Sequence, residues 1–120
     1  MGTSEATMES TLGEQVGFEF ESAYLYLAFS SYLNRINMVG ASHWMRMQAT
    51  EELTHAMKLL DFMADRDWNP ELPAIAKPCS EFDSALDTFR AALEHEQTMT
   101  ARLNELMNRA IAANCRLRSR

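Results

Sequence analysis

An all-α bundle of three long helices is the fold class this sequence predicts, and three observations predict it. Apolar residues recur at three- and four-residue spacing over about residues 5–35, 41–67 and 84–113. Pro70, Pro73 and Pro78, the chain's three prolines, all fall between the second and third stretches, where proline excludes regular helix and central strand alike. The 120 residues are 47% apolar with nine Met and four Gly, which suits one helical domain with one core. Residues 1–120 therefore read as a single domain, with a crossover loop at 68–83 and a basic tail at 114–120.

The first helix follows a start at residues 1–4 that reads as disordered. Its inward stripe is Leu12, Val16, Glu19, Ala23, Tyr26/Leu27, Ser30 and Leu33. Glu5 and Glu9 complement the positive end of the helix dipole, and Arg35 complements the negative end. Gly13 and Gly17 weaken the local propensity without breaking the stripe. Residues 37–40 are too short for anything but a tight connection, so the second helix is expected to pack antiparallel to the first.

The second helix, to Arg66 or Asp67, carries the stripe Met45, Ala49, Glu52, His55/Ala56, Leu59 and Met63. The crossover of about 16 residues that follows can travel the ~39 Å length of such a helix. The third helix therefore need not be antiparallel to the second, a connection found in one kind of four-helix bundle. Ser84 is suited to cap the third helix, with Asp87 at the third helical position. The predicted stripe there is Leu86, Phe89, Leu93, Glu96, Met99/Thr100, Leu103, Leu106/Met107 and Ala110, with His95 turned to a flank. The pattern fades after Ala113.

Each helix thus carries an acidic residue inside an apolar stripe: Glu19, Glu52 and Glu96. Glu52 and His55, three apart, project side by side. A carboxylate placed in a core must be neutralised, hydrogen-bonded or bound to a cation. A lone Glu-x-x-His is common by chance and most often solvated, and three such residues on helix edges would simply ion-pair or reach water. Carboxylates with one imidazole form an oxygen-rich set suited to iron or manganese, less so to structural zinc.

The run Leu12-Gly-Glu-Gln-Val-Gly-Phe-Glu19-Phe-Glu-Ser-Ala-Tyr-Leu-Tyr26, then Glu51-Glu52-Leu-Thr-His55, Glu94-His-Glu96-Gln and Leu103-Asn-Glu-Leu106 resembles the bacterial non-haem ferritins, over roughly residues 8–113. The resemblance implies a ferritin-like bundle with a diiron ferroxidase centre. In it Glu19, Glu52 and His55 would bind one iron, Glu52 would bridge to a second, and Glu96 would also bind that second iron. Tyr26 would stand beside the centre, and Glu51 would belong to a third iron site. The haem-containing relatives look less similar, because the residue after the bridging Glu is Leu53 where they carry a haem-ligating Met, so no haem is expected. The family's fourth helix would begin where this chain reads Asn114-Cys-Arg-Leu-Arg-Ser-Arg120. The chain resembles a ferritin cut short after its third helix, with the second and third iron sites incomplete and an apolar groove left open. It is accordingly expected to assemble as a homo-oligomer, a dimer or a cage.

The function implied is iron storage and detoxification by oxidation of Fe(II) with O2 or hydrogen peroxide. The alternative is a non-catalytic iron-binding or helical assembly module. A rubrerythrin-like peroxidase resembles the chain less, since no second Glu-x-x-His follows on a later helix. The net charge of −6 becomes −9 without Arg116, Arg118 and Arg120 (8 − 17), which argues against a nucleic-acid partner and suits cations. No apolar run approaches the ~20 residues of a membrane span, and residues 1–5 do not read as a signal peptide. Cys79 and Cys115 form no CxxC pattern, so a reducing, cytoplasmic setting is expected. Met45, Met47, Met57, Met63, Met99 and Met107 read as core filler, His43 as surface, and Trp44 and Trp68 as packing or interface residues.

Overall fold

A computed structural model describes the backbone of residues 3–118 and the side chains of residues 8–112. The chain forms three helices, α1 (Thr3–Arg35), α2 (Val39–Asp65) and α3 (Ala85–Arg118). Thr3 and Ser4 are already helical, so the expected disordered start does not hold for them, and Met1 and Gly2 lie outside the described residues. α3 runs on past Ala113 because residues 114–118 contain no Gly or Pro and include good helix formers. The side chains of Glu5, Cys115 and the arginines of the basic tail lie outside the described residues.

α1 and α2 end in the same way. Asn37 takes a left-handed φ of 64° and Asp67 one of 60°. Behind Asn37, Met38 N–H donates to Leu33 O at 2.9 Å and Asn37 N–H to Asn34 O at 3.1 Å; behind Asp67, Trp68 N–H donates to Met63 O at 2.9 Å and Asp67 N–H to Ala64 O at 3.0 Å. Both are Schellman closures that satisfy the last carbonyls, with Asn and Asp in the place glycine usually takes. They set the ends of α1 and α2, and α2 stops at Asp65 rather than at 67. Ser84 caps α3 as expected, its Oγ accepting from Asp87 N–H at 3.2 Å.

α1 is the central helix, packed against both others. Ser30 and Ser42 exchange hydroxyl hydrogen bonds across the α1–α2 hairpin at 2.7–2.9 Å, while Glu19 faces His55, so the two helices are antiparallel. α3 also runs antiparallel to α1: Tyr26 meets Glu96, Arg102 stacks on Phe18, and Arg109 reaches Thr11. α2 and α3 are therefore parallel, which only a crossover the length of the bundle permits. That crossover lies along α1, from Pro70 and Pro73 against Gly13 and Gly17 to Phe82 against Phe29 and Tyr32.

The buried stripe of α1 follows the expected one except at Leu27, which is exposed while Tyr26 is buried. That of α2 holds at Met45, Ala49, Ala56 and Met63. Two apolar clusters result. Leu12, Val16, Ala56 and Met63 form one; Ala23, Tyr26, Phe29, Tyr32, Leu33, Met45, Ala49 and Ala92 form the other. Glu19 and Glu52 fall in sequence between them on their own helices, so a polar layer divides the core.

α3 departs from expectation. It buries Thr88, Ala92 and Met99 against α1, whereas Leu86, Phe89, Leu93, Leu103 and Met107 are exposed. The face touching α1 is rotated away from the apolar stripe, which lines an open groove between α3 and α2. Trp44 and Phe89 meet across that groove with ring centroids 6.3 Å apart. Of the methionines read as core filler, Met47, Met57 and Met107 are exposed because they lie off the face turned to α1. His43 is on the surface as expected. Trp68 packs on the Met63 cluster.

The crossover is held close to α1 by the absence of a side chain. A Cβ on Gly17 would stand 2.4 Å from Pro73 Cγ, a contact a rigid ring cannot relieve without moving the loop, whereas one on Gly40 would meet nothing within 4 Å. Gly17→Ala is expected to cost about 1–3 kcal/mol by overpacking, despite its better helix propensity. Gly40→Ala, also in a helix, is expected to gain about 0.5–1 kcal/mol. Urea unfolding of the two variants checks the contrast; equal stabilities would mean that the loop is not seated on Gly17.

Candidate metal centre

Glu19 comes from mid-α1 and Glu52 and His55 from mid-α2, where the antiparallel hairpin brings the two stripes together. One ligating atom from each of the three lies within 4.8 Å of the others. His55 Nδ1 is 3.6 Å from Glu19 Oε2 and 3.7 Å from Glu52 Oε2. The Glu19 side chain is 5% exposed, that of Glu52 12% and that of His55 52%. Two carboxylates thus sit in the core wall and an imidazole covers them from the solvent side.

The layer is short of positive charge. Glu19 Oε1 accepts from the Gln15 amide at 3.1 Å, but Glu19 Oε2 is buried with no hydrogen-bond partner. A buried carboxylate oxygen left bare is costly unless a proton or a cation takes the position. Burial, then the adjoining Glu19 carboxylate and the charges of Glu96 and Glu51, push the Glu52 carboxyl up to about 8. Without a cation the layer therefore holds a proton at neutral pH. Its geometry and donor set fit a divalent cation of the iron or manganese class.

The other expected site residues stand around this trio. Tyr26 is buried beside it, and its hydroxyl donates to Glu96 Oε1. Burial first, then that bond and the neighbouring carboxylates, raise the Tyr26 pKa, so the ring stays a neutral phenol that can hold Glu96 in place. Glu96 is exposed on α3, tied to the layer through Tyr26 and outside the three-residue cluster. Glu51 is exposed on α2 and acts on Glu52 and Tyr26 through its charge.

The sequence reading missed three supporting residues. Gln15, one helical turn before Glu19, is buried. Ser22 is fully buried; its hydroxyl donates to Phe18 O at 2.8 Å and lies 2.6 Å from His95 Nε2. With its one proton used on Phe18, Ser22 Oγ accepts from His95, so His95 carries its proton on Nε2. Burial lowers the His95 pKa, in keeping with a neutral ring. His95 is thus turned inward against Ser22 and the Tyr26 ring, not out to a flank. The i,i+4 spacing of Gln15 and Glu19 was the available signal for the first. For Ser22 and His95 no local signal exists, because their pairing spans two helices.

No helix among the described residues is long and apolar enough to cross a membrane, and Cys79 is an exposed free thiol.

The model of the Ferritin-like domain family matches residues 9–115. The bacterial non-heme ferritin of Escherichia coli O6:H1 is 32% identical over 104 residues, which are 87% of this chain and 63% of that protein. The one from Campylobacter jejuni is 36% identical over 96 residues, 80% of this chain and 58% of that protein. Among solved structures, an engineered closed form of the Archaeoglobus fulgidus ferritin superposes with a TM-score of 0.87 at 40% identity, covering 95% of this chain and 68% of that one. The open-pore ferritin of the same archaeon gives a TM-score of 0.87 at 42% identity, covering 90% and 66%. The chain therefore spans about 63% or less of the two curated relatives.

Proposed function

The chain belongs to the ferritin-like family, and on that premise we propose that it binds Fe(II) as substrate at Glu19, Glu52 and His55 and oxidises it for storage. The observation that carries this reading is the bare, buried Glu19 Oε2 facing Glu52 and His55. That layer is stable in its charged form only with a cation in it. Iron binding displaces the proton held at Glu52, which is then free to bridge toward a second iron on the side of Glu96. Tyr26 holds the Glu96 carboxylate by its hydroxyl and so keeps it beside the layer. Glu51 adds negative charge at the approach and draws further iron toward it. Each Fe(II) gives up one electron. Two of them with two protons reduce O2 to hydrogen peroxide, or hydrogen peroxide to water. The acidic body concentrates the cation, in the reducing cytoplasm that the free Cys79 suits.

The open groove along Leu86, Phe89, Leu93, Leu103 and Met107 supports a homo-oligomer, since contiguous apolar surface of that length marks an interface. A second reading, one iron held per chain without turnover, is favoured by one observation. Glu96 and Glu51 are exposed and stand outside the cluster, so the second iron has fewer ligands than the first. Adding two Fe(II) per chain in air and following Fe(III) absorbance, beside Glu52→Ala, separates the readings. Oxidation above the buffer rate is expected, falling by more than about 100-fold in the variant, beyond the usual 10–100-fold effect of outer-shell partners. Both proteins at the buffer rate would overturn the oxidase reading and leave iron binding alone.

A further inference from the structure

Gln15 has no charge and is 4% exposed. Among the described residues, its one hydrogen bond to a side chain goes to Glu19 Oε1 at 3.1 Å, inside α1 and one turn below the carboxylate. The other oxygen of the same carboxylate, Oε2, is buried without a partner and lies 3.6 Å from His55 Nδ1. The two oxygens are therefore inequivalent. One is occupied by a donor fixed to the same helix, and the other is bare and aimed into the cluster with Glu52 and His55.

We propose that Gln15 is a positioning residue that locks Glu19 Oε1 and so commits Oε2 as the single oxygen presented to the metal. The inference rests on the metal-binding reading above. A carboxylate turns easily about its last bond, and without a lock it can offer either oxygen or both. An amide NH2 on a neighbouring helical turn removes that freedom. Being neutral, it leaves the negative charge of Glu19 for the cation, where a Lys or Arg at the same place would cancel it. Carboxylate ligands held in this way by an outer partner lose metal affinity when the partner is removed, typically 10–100-fold.

Gln15→Met keeps the length of the side chain and removes the donor. Anaerobic titration with Co(II), which is not turned over, reads both affinity and the visible absorption that reports the ligand arrangement. Gln15→Met is expected to bind Co(II) about 10–100-fold more weakly than the wild type, with a shifted visible spectrum. A purely structural role would lower the melting temperature but leave the Co(II) affinity and spectrum of the folded protein as they are. Affinity within twofold of wild type with an unchanged spectrum overturns the proposal. Gln15→Leu gives the same reading should the Met variant not fold. Glu19→Ala measured alongside keeps the two levels apart. If Glu19→Ala binds Co(II) as the wild type does, the metal site itself is misread. If it loses binding while Gln15→Met does not, only the role of Gln15 is wrong.

Discussion

Phe29→Ala is expected to destabilise the protein by about 3–5 kcal/mol, the cost of emptying a buried aromatic position. Against the ~5–15 kcal/mol that holds a domain of this size together, that removes a large share of the margin. The reason is where Phe29 stands. It is fully buried, edge-on to Tyr26 at 5.9 Å and to Phe82 at 5.3 Å. It therefore joins the α1–α2 hairpin to the end of the crossover and to the tyrosine of the candidate site. Its loss opens a void between three elements, none of which can collapse into it without moving a helix. Leu72→Ala is the matched control, since Leu72 is exposed on the crossover, outside the open groove, and should change stability by less than about 0.5 kcal/mol. Urea unfolding of both variants tests the pair. Equal effects would mean that the core does not lie where it is described.

Glu52→Gln is expected to flatten the dependence of stability on pH. The Glu52 carboxyl, ordinarily near 4.5, is pushed up to about 8 in the fold, chiefly by burial and then by Glu19. Between those two values the folded metal-free protein keeps a proton that the unfolded chain has released. Stability therefore falls as pH rises from about 4.5 to 8, and is greatest below that window. With solvent screening allowed for, the fall should be about 2 kcal/mol, or roughly 6–10 °C in Tm for a chain of this length. Glutamine cannot lose a proton, so the variant should melt at nearly the same temperature at pH 5 and pH 8. It should exceed the wild type at pH 8. A divalent cation reverses the slope for the wild type alone, because the metal favours the deprotonated carboxylate. Parallel melting curves for wild type and variant across the window would sink the account of a shared proton in the core.

The two halves of this molecule were not equally legible. α1 and α2 bury their stripes against each other, so the residues that recur every third or fourth position are the ones inside, and Glu19 and Glu52 stood out as interruptions. α3 touches α1 with Thr88, Ala92 and Met99, a face poorer in large apolar residues than the stripe the periodicity picks out. Periodicity finds the apolar face of a helix, and it cannot tell a face that is covered from one that is open. The end of α2 was missed by a residue or two because Asp67 takes the left-handed place in which glycine would have announced the stop, whereas α1 ends at Arg35 as expected. Gln15 had only its i,i+4 spacing to Glu19 to mark it, and Ser22 and His95 take their roles from what folding sets beside them.

Glu19, Glu52 and His55 all stand on one hairpin closed by a connection of three residues, while Glu96 joins them through Tyr26 and a helix that packs chiefly on α1. The molecule should accordingly come apart in stages. α3 can detach from α1 by breaking a handful of side-chain contacts, and its amides should exchange with deuterium well before those of the hairpin. The trio would survive that opening intact. A cation bound by the trio would slow exchange in α1 and α2 and leave α3 nearly as it was.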